Sequence, residues 1–356
     1  MTAPSSGDAL ALAVIGGVYT WTTAPSCMER IVLGNTAFEG KNDVYLFDED
    51  GETVLVDTGV ATPSTRRELQ DGLRSAGVTF ADVDHVLVTH WHQDHAGLVG
   101  EIQAESDATV FVHEADAALV EHDEDALDAL ERRQRDCYEE WGMPAEKREE
   151  LLAFFERNAG SRGEPATVER FADDDRIELG GRVFEVVHAP GHTAGLTCFV
   201  TDLDGDRVVL TGDAILPVYT PNVGGADVRV EAPLAKYLES LRRLADAEYD
   251  LALPGHRDPI DDPTERATAI MEHHEERAMR VLRVLDERGP SDVWSVSDAL
   301  FGSLSNVHIL HGPGEAYAHL EHLHRTGAVE RDGRTYRRSE AASDWSGLAL
   351  DEAKSR

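Results

Sequence analysis

Between His90 and His95, the run Thr89-His90-Trp91-His92-Gln93-Asp94-His95 places four metal-binding side chains in six residues. It follows the apolar stretch His85-Val86-Leu87-Val88-Thr89, which reads as a strand. The spacing is not that of a helix face. On an extended segment His90 and His92 point the same way, while Asp94 and His95 come from the turn beyond and face a neighbouring point. Such a loop needs a rigid strand end beneath it and further ligands from other strands. Three candidates stand farther along, each beside a glycine at the end of an apolar run: His192 after Gly191, Asp213 after Gly212 and His256 after Gly255. Glycine lets the backbone bend sharply, so that a ligand projects over a sheet edge. Five imidazoles and two carboxylates suit a borderline ion such as zinc, with iron or manganese also accommodated.

The flanking sequence alternates strand and helix, which implies a sheet covered by helices. Strands are expected at Thr53–Asp57, His85–Thr89, Thr109–Val112, Thr167–Phe171, Arg182–His188, Leu196–Thr201, Arg207–Leu210 and Leu251–Leu253. Helices are expected over 63–76 and 96–104 and again after Pro233. Residues 115–160 are charged, with apolar residues at helical spacing, and read as two or three inserted helices. Glu52–Gly59 (ETVLVDTG) and Asp206–Asp213 (DRVVLTGD) echo each other as strand-to-turn units, as two similar packed halves would produce. Domain boundaries are expected at 1–262 for a catalytic unit and 263–356 for a C-terminal one. The second unit has a helix to Arg288, shorter helices at Ser295–Phe301 and Gly314–Thr326 and a hairpin around Asp332-Gly333, an order suggesting a winged helix. Residues 339–356 are expected to fray.

These motifs resemble the metallo-β-lactamase superfamily. The T-H-x-H-x-D-H signature stands as Thr89 to His95, followed in order by His192, Asp213 and His256, with Asp57 in Leu55-Val56-Asp57-Thr58-Gly59 matching the acidic turn of the first motif. The resemblance spans roughly residues 10–260. It implies an α+β chain folded as a four-layer αββα sandwich with the site on one edge of two packed sheets. It further implies that His90, His92 and His192 hold one divalent ion, that Asp94, His95 and His256 hold a second, that Asp213 bridges them and that Asp57 braces the loop. The implied chemistry is hydrolysis by a hydroxide shared between two zinc ions about 3.5–4 Å apart, which Asp94 orients. The pattern is most similar to the glyoxalase II-like thioesterases and the lactonases, so the expected substrate is a small carboxylic ester, lactone or thioester. The alternatives are a metal-dependent endoribonuclease, with Arg331, Arg334, Arg337 and Arg338 of the C-terminal hairpin touching phosphates, and a mononuclear iron persulfide dioxygenase. The inserted helices at 115–160 are the candidate lid over an apolar acyl chain.

Composition bears on surroundings and partners. Thirty-three basic and 68 acidic residues give a formal charge of −35, and only four of the basic residues are lysines. Acid spread along the whole chain destabilises the compact state at low salt and is screened at molar salt, as in proteins of salt-accumulating cells. It also opposes nucleic-acid binding. Cys27, Cys137 and Cys198 are odd in number and far apart, which fits buried thiols in a reducing compartment. No run approaches the roughly 18 apolar residues of a membrane span. Ala9–Tyr19 has Asp8 before it and no positive segment, so it reads as a first strand. A cytoplasmic protein without membrane contact is expected, with the C-terminal unit capping the catalytic unit or joining two copies as a homodimer.

Overall fold

A computed structural model describes residues 28–35 and 40–340 in full, and the backbone of residues 12–15 and 18–21. The first sheet has eight strands in chain order: β1 (Leu12–Ile15), β2 (Val18–Trp21), β3 (Met28–Leu33), β4 (Asn42–Glu49), β5 (Glu52–Val56), β6 (His85–Leu87), β7 (Thr109–His113) and β8 (Val168–Phe171). The second has five, β9 (Arg176–Leu179), β10 (Arg182–His188), β11 (Thr197–Leu203), β12 (Asp206–Gly212) and β13 (Leu251–Pro254), in the order β13-β12-β11-β10-β9. The single strand expected at Ala9–Tyr19 is instead two short antiparallel strands, β1 and β2, with Ile15 opposite Val18; residues 9–11, Cys27 and 341–356 lie outside the described residues.

Strand alternation builds the layers. Val54 and Val56 point between the sheets, where they meet Phe184, Val186, Val208 and Leu210, while Leu55 points outward to Leu69, Leu73 and Ile102. On β12, Val208 and Leu210 face inward and Val209 faces the opposite helical layer. Period-two alternation with both faces apolar requires cover on both sides. Helices α1 (Pro63–Ser75), α2 (Gln93–Ala96), α3 (Val99–Ser106) and α4 (Glu114–Val120) follow strands of the first sheet. The α1 start is fixed by Pro63 in its first turn and by Thr62, whose side chain accepts from the Thr65 amide. Helices α5 (Glu124–Glu140) and α6 (Ala145–Asn158) complete the insert, and α7 (Pro233–Asp246) lies against the second sheet. The result is a four-layer αββα sandwich. The two echoing segments become β5 and β12, and each pairs antiparallel with the strand before it and parallel with the next one, β6 or β13.

The chain then runs through α8 (Pro263–Arg288), β14 (Ser291–Asp292), α9 (Val293–Phe301), α10 (His308–Arg325), β15 (Val329–Asp332) and β16 (Thr335–Arg338), the strands forming a small sheet in the order β14-β16-β15. α8 buries Ala267, Ile270, Ala278, Val281 and Leu285 at helical spacing, in one apolar cluster with Leu234, Leu238 and Leu241 of α7. α10 begins six residues before the expected Gly314, with Pro313 inside it. Gly312-Pro313-Gly314 reads as a break but serves close packing: a Cβ on Gly314 would stand 2.2 Å from the Gly225 Cα.

Candidate metal centre

The strand ends of the two sheets bring the seven predicted ligands together. β6 ends at Leu87, and Thr89 to His92 lead into the single turn of α2, which carries Asp94 and His95. His192 lies between β10 and β11, Asp213 directly follows β12, and His256 follows β13. All but His92 are buried. The candidate ligand atoms of His90, His92 and His192 lie within 4.8 Å of one another, as do those of Asp94, His95 and His256. Asp213 joins the two clusters: its Oδ2 is 3.5 Å from His192 Nε2, and its Oδ1 is 3.5 Å from both His95 Nε2 and His256 Nε2.

Each ring is oriented by a group on its outer side. His192 Nδ1 donates to the Asn222 carbonyl (2.9 Å), His92 Nε2 to the Ala226 carbonyl (3.1 Å) and His256 Nδ1 to the Lys41 carbonyl (2.9 Å). His95 Nδ1 donates to Asp57 Oδ2 (2.8 Å), which also accepts from Thr89 Oγ1, and Asp57 Oδ1 accepts from the Thr89 amide (both 2.8 Å). The Thr89 hydroxyl, its proton used, accepts from His90 Nδ1 at 3.1 Å. Asp57, at a φ of +62°, thus braces the loop without reaching the cluster of ligand atoms. Asn35 and Asn42 donate to Asp94 Oδ2 at 3.2 and 3.4 Å.

The donor set can therefore be tested for fit to cations. With the outward nitrogens protonated, the inward nitrogens carry lone pairs in the neutral rings. His92 Nδ1 lies 3.0 Å from both His90 Nε2 and His192 Nε2, so lone pairs face one another with no proton to share. A cation resolves that contact. In the second cluster the buried atoms His95 Nε2, His256 Nε2 and Asp213 Oδ1 have no hydrogen-bond partner among the described residues. A Cβ on Gly255 would fill this cradle, at 2.6 Å from His95 Cε1 and 2.8 Å from Asp213 Oδ1. The residues fit a pair of divalent ions.

Charge is distributed accordingly. Burial, then the neighbouring His95 and His92, drive His90 well below the usual imidazole range; burial and then His192 push His92 down to about 4. Burial opposes the charge on His95 and His256 too, but Asp213 leads the carboxylates that outweigh it, lifting them to about 9 and about 10. Burial likewise works against the Asp213 and Asp94 carboxylates, and the His95 and His256 imidazoles hold both below their ordinary value.

Several contributors were not visible in the motifs. Asp116 on α4 accepts from the Trp91 amide, the Thr193 hydroxyl, the Gly195 amide and Arg229 Nη2, at 3.2, 3.1, 3.0 and 2.6 Å. It ties the loop between His90 and His92 to the loop after His192. Asp227 accepts from the Ala194 amide and also pairs with Arg229. A cavity of about 710 Å³ opens over the centre, lined by Trp91, His192 and Asp213, by Phe154, Phe155 and Arg157 of α6, and by Val307, Leu310 and neighbouring residues at the start of α10. Of the C-terminal histidines, His308 and His311 line this cavity, and His319 sits in a buried group with His274 and Glu315. Tyr219 lies under the Arg257 guanidinium, and Cys198 is buried with its thiol 3.7 Å from the Thr211 carbonyl. Arg331, Arg337 and Arg338 are paired with Glu140, Glu330 and Asp286.

A four-layer αββα sandwich with a three-histidine cluster and a histidine–aspartate cluster, joined by Asp213 at the strand ends of both sheets, defines a class of metal-dependent hydrolases. The family model described as Metallo-beta-lactamase superfamily matches residues 38–256, more than half of the sequence, and the chain belongs to that superfamily. It is 28% identical over 293 residues to the probable metallo-hydrolase YqjP of Bacillus subtilis, covering 80% of this chain and 88% of that one. A metallo-beta-lactamase family protein of Thermus thermophilus, TTHA1429, superposes with a TM-score of 0.75 at 31% identity, over 88% of this chain and 99% of the other. An atrochrysone carboxyl ACP thioesterase of Emericella nidulans is 23% identical over 72% of this chain and 64% of its own length. No helix among the described residues is long and apolar enough to cross a membrane.

Proposed function

We propose that this metal-dependent hydrolase cleaves a carboxylic ester, lactone or thioester, with a thioester as the foremost candidate. The observation that carries the reading is the union of two ligand clusters by the two oxygens of Asp213 at the base of a cavity walled by the α5–α6 insert. His90, His92 and His192 would hold one zinc ion, Asp94, His95 and His256 the other, and Asp213 would bridge. Such a pair supplies Lewis acidity and lowers the pKa of water toward neutrality, so that no serine or cysteine nucleophile is needed. Cys198, buried and pushed up to about 12 by that burial, is unsuited to that role.

The side chains of this chain complete the reaction. Asp94, with one oxygen held by Asn35 and Asn42, accepts a hydrogen bond from the attacking water and aims it at the carbonyl carbon. Phe154 and Phe155 form an apolar wall for the acyl group, and Arg157 lies on the same lining, where it can meet an anionic part of the substrate. The similarity to the atrochrysone carboxyl ACP thioesterase of Emericella nidulans supports a thioester. Pairing of three hairpin arginines with acids leaves little positive charge there for a nucleic-acid backbone, which favours the small-molecule reading over the ribonuclease one. We further propose a division at residue 262, a winged-helix-like C-terminal unit, and a salt-rich cytoplasm as the setting for the acidic surface.

The test is a screen of zinc-loaded protein in molar KCl against thioesters, lactones, aryl esters, phosphodiesters and single-stranded RNA, with His90→Ala as control. Carboxylic substrate turnover that vanishes in the control supports the reading. RNA cleavage without it, or oxygen uptake by a protein holding one iron, overturns it.

A further inference from the structure

The outward partners of His92 and His192 belong to one short segment. Asn222 O receives the His192 Nδ1 proton and Ala226 O the His92 Nε2 proton, at 2.9 and 3.1 Å. The segment closes on itself: Asn222 Oδ1 accepts from the amides of Gly225 (3.1 Å) and Ala226 (2.8 Å), so its two acceptor carbonyls are set by one side chain. It is tied in turn to the C-terminal unit. Glu315 Oε2, on α10, accepts from the Val223 amide at 3.1 Å and from Asn222 Nδ2 at 3.3 Å, and the same Nδ2 donates to the His311 carbonyl at 3.0 Å. Glu315 is 3% exposed, and Arg277 Nη1 of α8 donates to its other oxygen at 2.7 Å.

Glycine makes the contact possible. A Cβ on Gly314 would lie 2.2 Å from Gly225 Cα, and one on Gly225 would lie 2.7 Å from His311 Cα. Helix and loop therefore meet backbone to backbone, leaving little room for the loop to shift. Glu315 also lies near His274 and His319, a trio whose spacing would admit a cation. The Arg277 guanidinium on its Oε1 opposes one, and His274 Nδ1 and His319 Nε2, at 3.3 Å, are already matched to each other. The carboxylate is thus engaged by Arg277 and by the 222–226 segment.

We infer that the C-terminal unit is a positioning element of the metal centre, with Glu315 acting through Asn222 and residues 222–226 to aim His92 and His192. This rests on the metal-centre reading proposed above. Groups that orient ligand imidazoles are worth about 10–100-fold in metal affinity. Here the carboxylate that sets them, Glu315, lies on α10, beyond every candidate ligand in the chain.

The test titrates metal-free, full-length protein with zinc against a chromophoric chelator in two backgrounds. His256→Ala retains the His90–His92–His192 cluster, and His92→Ala retains the Asp94–His95–His256 cluster. In the first background Glu315→Ala is expected to weaken zinc binding about 10–100-fold, with Glu315→Gln, which keeps an acceptor oxygen, recovering most of it. In the second background Glu315→Ala is expected to leave the affinity within about twofold, a selectivity that general loosening would not produce. Because Glu315→Ala strands Arg277, Asn222→Ala serves as the second variant; it loosens the same segment with the ion pair intact and should show the same selective loss. Equal weakening in both backgrounds, or folded variants with unchanged affinity in the first, overturns the inference. A parent protein that binds no zinc overturns the metal-centre reading and this inference with it.

Discussion

Replacing Asp116 with alanine removes the carboxylate that joins the two loops flanking His92 and His192. In this fully buried position the change leaves the Trp91 and Gly195 amides without an acceptor. Each orphaned amide costs about 1–3 kcal/mol. The Thr193 hydroxyl can rotate toward another acceptor and adds less. Arg229 keeps Asp227 and the Ala115 carbonyl, so its charge is not stranded and the larger penalty of a broken buried pair is avoided. Two terms offset the loss: burial raises the Asp116 carboxyl and so already disfavours its charge, and its removal relieves repulsion with Asp227. The balance is about 3 kcal/mol of destabilisation. Urea unfolding of the metal-free protein in fixed high salt, followed by far-ultraviolet circular dichroism, measures it. Asp116→Asn, which keeps one acceptor oxygen, should lose roughly half as much. Gly195→Ala should resemble Asp116→Ala, since its Cβ would stand 2.5 Å from the Asp116 Cγ. A loss below about 0.5 kcal/mol, the range of an ordinary surface change, would refute the claim that Asp116 holds the two loops.

Other outcomes follow from the same structure. Gly255→Ala should reduce bound zinc from two ions to one by elemental analysis, because the new Cβ enters the cradle between His95 and Asp213. His95 and His256, lifted to about 9 and about 10, each hold an inward proton at neutral pH that a metal must displace. Zinc affinity should therefore rise with pH from 6 toward about 9, and calorimetry near pH 7.5 in buffers of different ionisation enthalpy should count about three protons released, one from each ring and one from the water the ions share. With a formal charge of −35, the melting temperature should climb as KCl is raised from 0.1 M to above about 1 M, while a flat profile would argue against self-repulsion as a destabilising term.

The seven converging side chains were legible in the sequence because they stand at strand ends in a compact histidine–aspartate pattern, and glycines mark the bends that present them. The strands β5, β6, β7, β10 and β12 were legible for a related reason, since apolar runs bounded by turns have few alternative uses. The strands β3, β4 and β9 lacked that signal: Met28–Leu33 and Asn42–Glu49 carry charged residues, and Arg176–Leu179 is half exposed. Asp116, Asn222, Arg229 and Glu315 are single polar residues whose meaning depends on partners up to 114 positions away, and nothing local distinguishes them from solvated neighbours. The early start of α10 was hidden because Gly-Pro-Gly ordinarily interrupts a helix. Here the glycines serve the approach to Gly225, a tertiary demand that local propensity does not record.

The paired-ion centre itself is tested most directly by anomalous diffraction from crystals of the zinc-loaded protein. Two peaks are expected about 3.5–4 Å apart, one about 2.0–2.1 Å from His90 Nε2, His92 Nδ1 and His192 Nε2, the other beside Asp94, His95 and His256, with Asp213 between them. A map with no peak among these seven side chains, or with zinc only at His274, Glu315 and His319, would contradict the account.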